Sequence, residues 1–159
     1  KQSSGGKIMN CCSKKATIIK FKKLNPNAQI PVKAFASDAG ADLKSVANLT
    51  IAPGKHTIVP TGLAIEMPEG WEAQIRSRSG LAAKKQIFVI NSPGTIDANY
   101  RNEIGVILQN LGTEPFVINI GDRIAQIVLK QVPVVEFVET DILTETDRNM
   151  GGFGSTGVK

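Results

Sequence analysis

The stretch Gly94–Glu103 (GTIDANYRNE) decides how this sequence can fold. It lies between two short apolar runs, Ile87–Ile90 and Ile104–Leu108, whose β-branched and aromatic residues favour strands. Turn-forming residues connect the stretch to the first run, so we predict a hairpin-like excursion from a sheet. The excursion holds an acid, Asp97, and an aromatic ring, Tyr100, three residues apart. An aspartate in an Asx turn and a tyrosine that covers a sheet end would give the same pattern, so these residues alone assign no function.

Length and composition indicate one all-β domain. The chain has 159 residues, enough for a single core, and its 15 glycines and 8 prolines suit short strands joined by tight turns. No apolar run reaches the length of a membrane span, so no membrane partner is expected. The two cysteines, Cys11 and Cys12, are adjacent, which makes them a poor disulfide framework and no zinc site. We interpret them as thiols of a reducing compartment, and predict a cytoplasmic protein, or a nuclear one in a eukaryotic host.

The positive charge is concentrated at the start of the chain. Eight of the 19 basic residues precede Asp38 and no acidic residue does, which leaves 11 basic and 14 acidic residues from Asp38 onward, a net charge of −3. We predict that residues 1–15 form a disordered arm rich in Lys, Ser and Gly. A nucleic-acid reader is expected to carry its positive patch on a folded face, so no specific nucleic-acid partner is expected.

Further short apolar runs, separated by glycine and proline turns, predict the remaining strands. These runs are Thr17–Phe21, Ile30–Val32, Asn48–Ile51, His56–Val59, Leu63–Met67, Trp71–Ile75, Pro115–Ile118, Gly121–Leu129 and Val134–Val138. Gly121–Leu129 is apolar on both faces, so we expect a second sheet or another subunit to cover each face. The one helix-like segment runs to Lys85, with Ser79 as its predicted N-cap.

Three other features have the chemistry of a nucleotide site. Two arginines and two serines in Arg76–Ser79 arrive at the helix start, where free N–H groups and guanidinium forks suit phosphate oxygens. Gln126 interrupts an apolar strand, so it is either a structural hydrogen bonder or a ligand contact. At the end of the chain, Phe153 lies among glycines and could stack on a base, while Arg148 could neutralise charge.

Taken together, these segments resemble the five ordered motifs of the trimeric deoxyuridine triphosphatase (dUTPase) family. The motifs are Ala39–Leu43, Arg78–Leu81, Gly94–Asp97 with Tyr100, Gly121–Gln126 and Arg148–Gly157. Each motif is weak alone, but all five in order are highly specific.

The resemblance implies a distorted jelly-roll β-barrel with one short helix, assembled as a homotrimer whose three sites each take residues from all three chains. It implies a domain of residues 16–143 and a flexible tail, residues 144–159, that closes over the site. The implied reaction is Mg2+-assisted hydrolysis of dUTP to dUMP and pyrophosphate. Such a reaction limits uracil incorporation into DNA and supplies dUMP for dTMP synthesis.

The resemblance also assigns roles by position. Asp97 matches the general base, Tyr100 the platform for the deoxyribose, and Asp42 a residue that reaches the metal only through water, with no direct protein ligand. The matched contacts to uracil are Asn91, the backbone of Gly94, Thr95 and Ile96, and the closing ring of Phe153. The matched contacts to phosphate or the closing tail are Arg78, Ser79, Gly80, Gln126, Arg148, Gly154, Ser155 and Thr156.

Three positions depart from the family pattern. Asn99 stands where the family usually has Asp, Asn102 where it has Gly, and Asn149-Met150 where Gly and a small residue are usual. Because Asn tolerates positive φ best among non-glycine residues, we expect Asn102 and Asn149 to keep left-handed turns. Asn99 removes a charge beside Asp97.

Two alternatives remain open. A dCTP deaminase shares the fold and a triphosphate substrate, but would need a glutamate as acid and base and a pocket for a 4-amino group. A non-catalytic regulatory protein could use the same scaffold with the lysine arm as its working part. Such a protein is expected to lack Asp97 or the tail, and this sequence has both.

Overall fold

The computed structural model describes residues 16–147, which form a β protein with one short helix. In chain order the elements are β1 (Lys20–Lys23), β2 (Gly40–Lys44), β3 (Leu49–Ile51), β4 (His56–Pro60), β5 (Leu63–Glu66), β6 (Trp71–Arg76), α1 (Ser79–Lys85), β7 (Ile87–Val89), β8 (Gly94–Asp97), β9 (Gly105–Asn110), β10 (Phe116–Ile118) and β11 (Arg123–Gln131).

The strands pair antiparallel in two main sheets and two short ribbons. One sheet has the order β2-β11-β6-β8, the other β4-β9-β7, and the ribbons are β1-β5 and β10-β3. Alternating apolar residues of both sheets enter one core, which includes Ile75, Ile127, Val59 and Leu108, all at most 3% exposed. The two sheets therefore face each other across a single hydrophobic layer.

Strand β11 is the central element of the larger sheet. It pairs with β2 on one side and with β6 on the other, and its neighbouring residues Ile127 and Val128 are both buried. Because successive side chains point to opposite faces, this confirms that both faces of the strand are covered.

The predicted hairpin-like excursion is confirmed. Strands β7 and β9 pair antiparallel, with Ile87 opposite Asn110 and Val89 opposite Leu108. Between them the chain leaves this sheet, and β8 joins the edge of the other sheet by pairing with β6. The excursion therefore connects the two layers.

Strand β1 begins at Lys20, three residues later than predicted from Thr17, because its partner β5 offers a ladder only from Leu63 to Glu66. Lys20 Nζ donates to Glu66 Oε1 at 2.6 Å, and this hydrogen bond lowers the pKa of Glu66. The pair stabilises the fold above the usual glutamate pKa, and its contribution is lost as the pH falls through the lowered value. Both side chains are exposed, so the effect is small.

The strand predicted at Val134–Val138 is wrong. The structure assigns no strand there, and Val134 and Phe137 are almost fully exposed. Their β propensity is real, but a strand needs a neighbour for its N–H and C=O groups. Strand β6 begins only at Trp71, and Val132 N makes the last such bond of this ladder, to Gly70 O.

Two local predictions are also wrong. Arg78 rather than Ser79 is the N-cap of α1, because the Arg78 carbonyl accepts the first helical N–H bonds, and no side chain caps this end. Among residues 16–147, the one non-glycine residue with positive φ is Gln86, so Asn102 does not hold a left-handed turn. Asn149 lies outside the described residues.

Candidate active site

A cleft of about 200 Å3 opens at the excursion and collects most of its predicted site residues. Its walls are Ile75, Asn91, Gly94, Thr95, Ile96, Asp97, Tyr100, Ile104 and Gly105. A Cβ at Gly94 would lie 3.1 Å from the Asn91 amide nitrogen, a tight contact that would press on the Asn91 side chain. The small residue therefore leaves room for the Asn91 side chain at the cleft.

The ring of Tyr100 is held by hydrogen bonds within its own turn. Its hydroxyl donates to the Glu103 carbonyl at 2.9 Å, and its backbone N–H donates to the Asp97 carbonyl at 3.1 Å. The Arg101 guanidinium donates to two carbonyls of the turn, those of Ala98 at 2.6 Å and Tyr100 at 2.9 Å. The turn thus presents a fixed aromatic face to the cleft.

Sequence reasoning missed Arg101. An arginine within a predicted tight turn was the sequence feature that could have indicated it. Such a turn leaves carbonyl groups without backbone partners, and an arginine can donate to several of them.

Asp97 ends β8 with its side chain exposed at the cleft. Among residues 16–147, no hydrogen bond or ion pair engages its carboxylate. Its cross-strand neighbour is Glu72, whose carboxylate accepts from Gln74 instead. The Asp97 oxygens are therefore free to accept a proton from a water molecule in the cleft.

The predicted phosphate residues form a second group at the start of α1. Arg78 Nε donates to Asp42 Oδ1 at 2.9 Å, and an Arg123 nitrogen donates to Asp42 Oδ2 at 3.3 Å. Ser79 and Gly80, the first residues of the helix, are exposed beside this pair of ions. The arrangement offers guanidinium and backbone N–H donors to an anion.

Gln126 lies next to this group and is half-buried. Its Nε2 donates to the Ser77 carbonyl at 2.9 Å, just before the helix. A Cβ at Gly40, on the neighbouring strand, would overlap Gln126 Oε1, so the glycine lets the Gln126 side chain keep this position. Gln126 is thus at least a structural hydrogen bonder, and it lies where a phosphate contact is predicted.

One chain does not bring these two groups together. Along β6, Asp97 lies opposite Glu72 whereas Gln126 lies opposite Arg76. These positions are four residues apart on the strand, which is roughly 13 Å at about 3.3 Å per residue. The cleft with Asp97 and the cationic group with Arg78 are therefore two halves that a single chain keeps apart.

The described residues contain no group of three or more His, Cys, Asp or Glu side chains placed to hold a metal ion. The Asp42 carboxylate accepts one hydrogen bond on each oxygen and still has lone pairs for a metal-bound water. This donor set fits a divalent cation that a substrate's phosphates carry, not one held in a protein cage. No helix in residues 16–147 is long and apolar enough to cross a membrane.

The tail residues of the predicted site lie outside the described residues, so their roles stay predictions. They are Arg148, Phe153, Gly154, Ser155 and Thr156.

A family model described as dUTPase matches residues 26–157, which include all five motifs. The chain belongs to the dUTPase family. The deoxyuridine 5'-triphosphate nucleotidohydrolase of Wolinella succinogenes is 53% identical to it, over 87% of this chain and 93% of that protein. The corresponding protein of Clostridium tetani is 50% identical, over 87% of this chain and 96% of the relative. The prediction of an enzyme of this dUTPase class is confirmed.

The fold prediction is confirmed as well. The dUTPase of Staphylococcus bacteriophage 80alpha, solved with dUPNHPP, aligns with a TM-score of 0.81 at 25% identity. The match covers 90% of this chain and 100% of the phage dUTPase. The two facing sheets of this dUTPase thus belong to the all-β jelly-roll fold.

Proposed function

We propose that this dUTPase hydrolyses dUTP to dUMP and pyrophosphate, with Asp97 as the general base. The observation that carries the proposal is the Asp97 carboxylate, which no hydrogen bond or ion pair within residues 16–147 engages, at the edge of a cleft that also holds Asn91 and Tyr100. An aspartate held by a neighbouring donor would be a poorer proton acceptor.

In the proposed reaction Asp97 takes a proton from a water molecule in the cleft. The water oxygen forms a bond to the α-phosphorus. The bond between the α-phosphorus and the oxygen that bridges it to the β-phosphate breaks, and its electron pair leaves with pyrophosphate. Tyr100, fixed by its bond to the Glu103 carbonyl, packs on the deoxyribose. Asn91 and the backbone of Gly94–Ile96 read the uracil edge, and this positioning supplies part of the rate enhancement.

Mg2+ bound to the phosphates would neutralise charge that develops on their oxygens, with Asp42 as a contact through water. Arg78, Gln126 and the start of α1 would bind the same phosphates and orient them.

We propose that the working site forms between subunits of a homotrimer. The separation of Asp97 from Arg78 along β6 supports this, because hydrolysis requires base and phosphate donors within a few ångströms of one phosphoryl group. A second chain would bring its Arg78 group to the first chain's cleft, and the tail would come from a third chain. In a cell the reaction would limit uracil incorporation into DNA and supply dUMP, in the cytoplasm or a eukaryotic nucleus.

A turnover assay with dUTP, dCTP and dTTP tests the function. We expect rapid pyrophosphate release from dUTP and little from the other two. Ammonia release from dCTP would favour the deaminase, and no turnover of any nucleotide would favour a binding protein.

A second expected result concerns the choice between deoxyribose and ribose, tested by comparing kcat/KM for dUTP with kcat/KM for UTP. If Tyr100 packs flat against the sugar, a 2'-hydroxyl is buried without a partner, at a cost of about 1–3 kcal/mol, or roughly 5- to 150-fold in kcat/KM. The kcat/KM for UTP should therefore be lower by about that factor. Equal values for UTP and dUTP would remove Tyr100 from this role.

A further inference from the structure

The Asp42 carboxylate accepts hydrogen bonds from two arginines that belong to different motifs. Its Oδ1 accepts from Arg78 Nε at 2.9 Å, and its Oδ2 accepts from Arg123 at 3.3 Å. Asp42 and Arg78 are each 26% exposed in their side chains, whereas Arg123 is 56% exposed. The Asp42–Arg78 pair is thus partly buried, and Arg123 is the more exposed of the two arginines.

Arg123 also contacts Arg78 directly through its backbone. Its carbonyl accepts from an Arg78 terminal nitrogen at 3.2 Å. Two of the five N–H donors of Arg78 are then used inside the chain, one by Asp42 and one by Arg123. Three N–H donors remain, one on the terminal nitrogen that binds the Arg123 carbonyl and two on the other terminal nitrogen, and they can bind phosphate oxygens.

The backbone around Arg123 is well anchored. In the turn before it, Asn119 N donates to Asp122 Oδ2 at 2.8 Å and Gly121 N donates to the Ser45 carbonyl at 2.8 Å. The ladder with β2 is irregular between Arg123 and Ala125, which is a bulge. Bulges re-aim side chains, and this one lies where the Arg123 side chain turns toward Asp42.

We propose that the Arg123 side chain positions the phosphate site: by holding Asp42 Oδ2 it fixes the carboxylate whose Oδ1 binds Arg78 Nε, and so fixes the plane in which Arg78 meets the substrate. Without the Arg123 guanidinium, the Asp42 carboxylate can rotate, and the bond from Arg78 to the backbone carbonyl of residue 123 alone does not fix the guanidinium plane. The inference rests on the proposed function only for the identity of the anion.

The first test needs no nucleotide. In the ligand-free protein, the Arg78 Nε proton is followed by nitrogen-15 NMR and assigned by its loss in Arg78→Lys. Arg123→Gln should speed its exchange with solvent about tenfold, because a bond to a mobile carboxylate opens more often. An exchange rate equal to that of the wild type would overturn the proposal.

The second test measures affinity for dUpNHpp and for deoxyuridine, which lacks phosphates. Partners that orient metal ligands typically change affinity or activity about 10- to 100-fold. By analogy, and because Arg123 is 56% exposed, we expect a loss of dUpNHpp affinity near the lower end, about 10-fold. Deoxyuridine affinity should stay the same. Equal losses for both ligands would indicate general damage and would contradict the positioning role.

Lys44→Gln is the matched control. Lys44 lies opposite Arg123 on β2, but its Nζ donates to Gln29 rather than to Asp42. The Lys44→Gln variant removes the same positive charge from the same groove as Arg123→Gln. A similar loss of dUpNHpp affinity in Lys44→Gln would mean that the lost positive charge, and not the contact of Arg123 with Asp42, weakens binding. Arg123→Met, which keeps an apolar stem, serves if the glutamine variant does not fold.

A double-mutant cycle decides whether Arg123 acts through Arg78. In an Arg78→Lys background, Arg123→Gln should change dUpNHpp affinity by less than about twofold. An undiminished tenfold loss there would mean that Arg123 binds phosphate itself. Wild-type turnover of dUTP is recorded in parallel, so a failure of the proposed function is seen separately from a failure of this inference.

Discussion

Asp97→Asn should turn over dUTP about 10²- to 10⁴-fold more slowly than the wild type, the usual range for a lost general base. The amide keeps the size of the side chain but accepts a proton poorly. Because no partner within residues 16–147 holds the Asp97 carboxylate, its replacement should leave the turn and the cleft intact. Affinity for dUpNHpp should therefore change little.

The measurement is the steady-state kcat at saturating dUTP, together with dUpNHpp affinity by calorimetry. Glu114→Gln is a suitable control, since it also converts a carboxylate to an amide, at an exposed position outside the cleft. A kcat near that of the wild type in Asp97→Asn would exclude Asp97 as the base. An equally large loss in Glu114→Gln would mean that net charge, not proton transfer, is measured.

A mixture of two inactive variants should recover activity if the site forms between chains. Asp97→Asn lacks the base and Arg78→Gln lacks the main phosphate donor, so each alone is expected to be inactive. After exchange of subunits by unfolding and refolding, a site works only where Asp97 comes from one variant and Arg78 from the other. In a closed cyclic trimer at equal mixing, about one quarter of wild-type activity should return.

The matched control mixes the wild type with a chain that carries both substitutions. Sites between chains then need two wild-type neighbours, so about one quarter of full activity is expected, whereas sites within one chain would give about one half. Mass measurement confirms the exchange. A first mixture that stays inactive after confirmed exchange would show that Asp97 and Arg78 of the same chain act together.

Local sequence patterns determined most of the scaffold. The apolar runs on either side of Gly94–Glu103 form a β7–β9 ladder because β-branched residues and turn formers already favour that hairpin. The cleft residues Asn91, Asp97 and Tyr100 could be named for a related reason. Their turn is short, so neighbours in sequence are neighbours in space.

Only the tertiary structure decided the features that depend on distant partners. Val134–Val138 has a strand's composition but no strand beside it, and composition cannot supply a ladder. The link between Arg123 and Asp42 spans 81 residues of chain and depends on the register and bulge of β11 against β2. Asp97 and Arg78 are separated because β8 places Asp97 beside Glu72 near the start of β6, whereas Arg78 follows the end of β6, and no local pattern contains this distance. The sequence by itself determined which groups this dUTPase carries, because residue types and turns are local. The pairing of its strands decided which groups meet within one chain, because that depends on contacts between residues far apart in sequence.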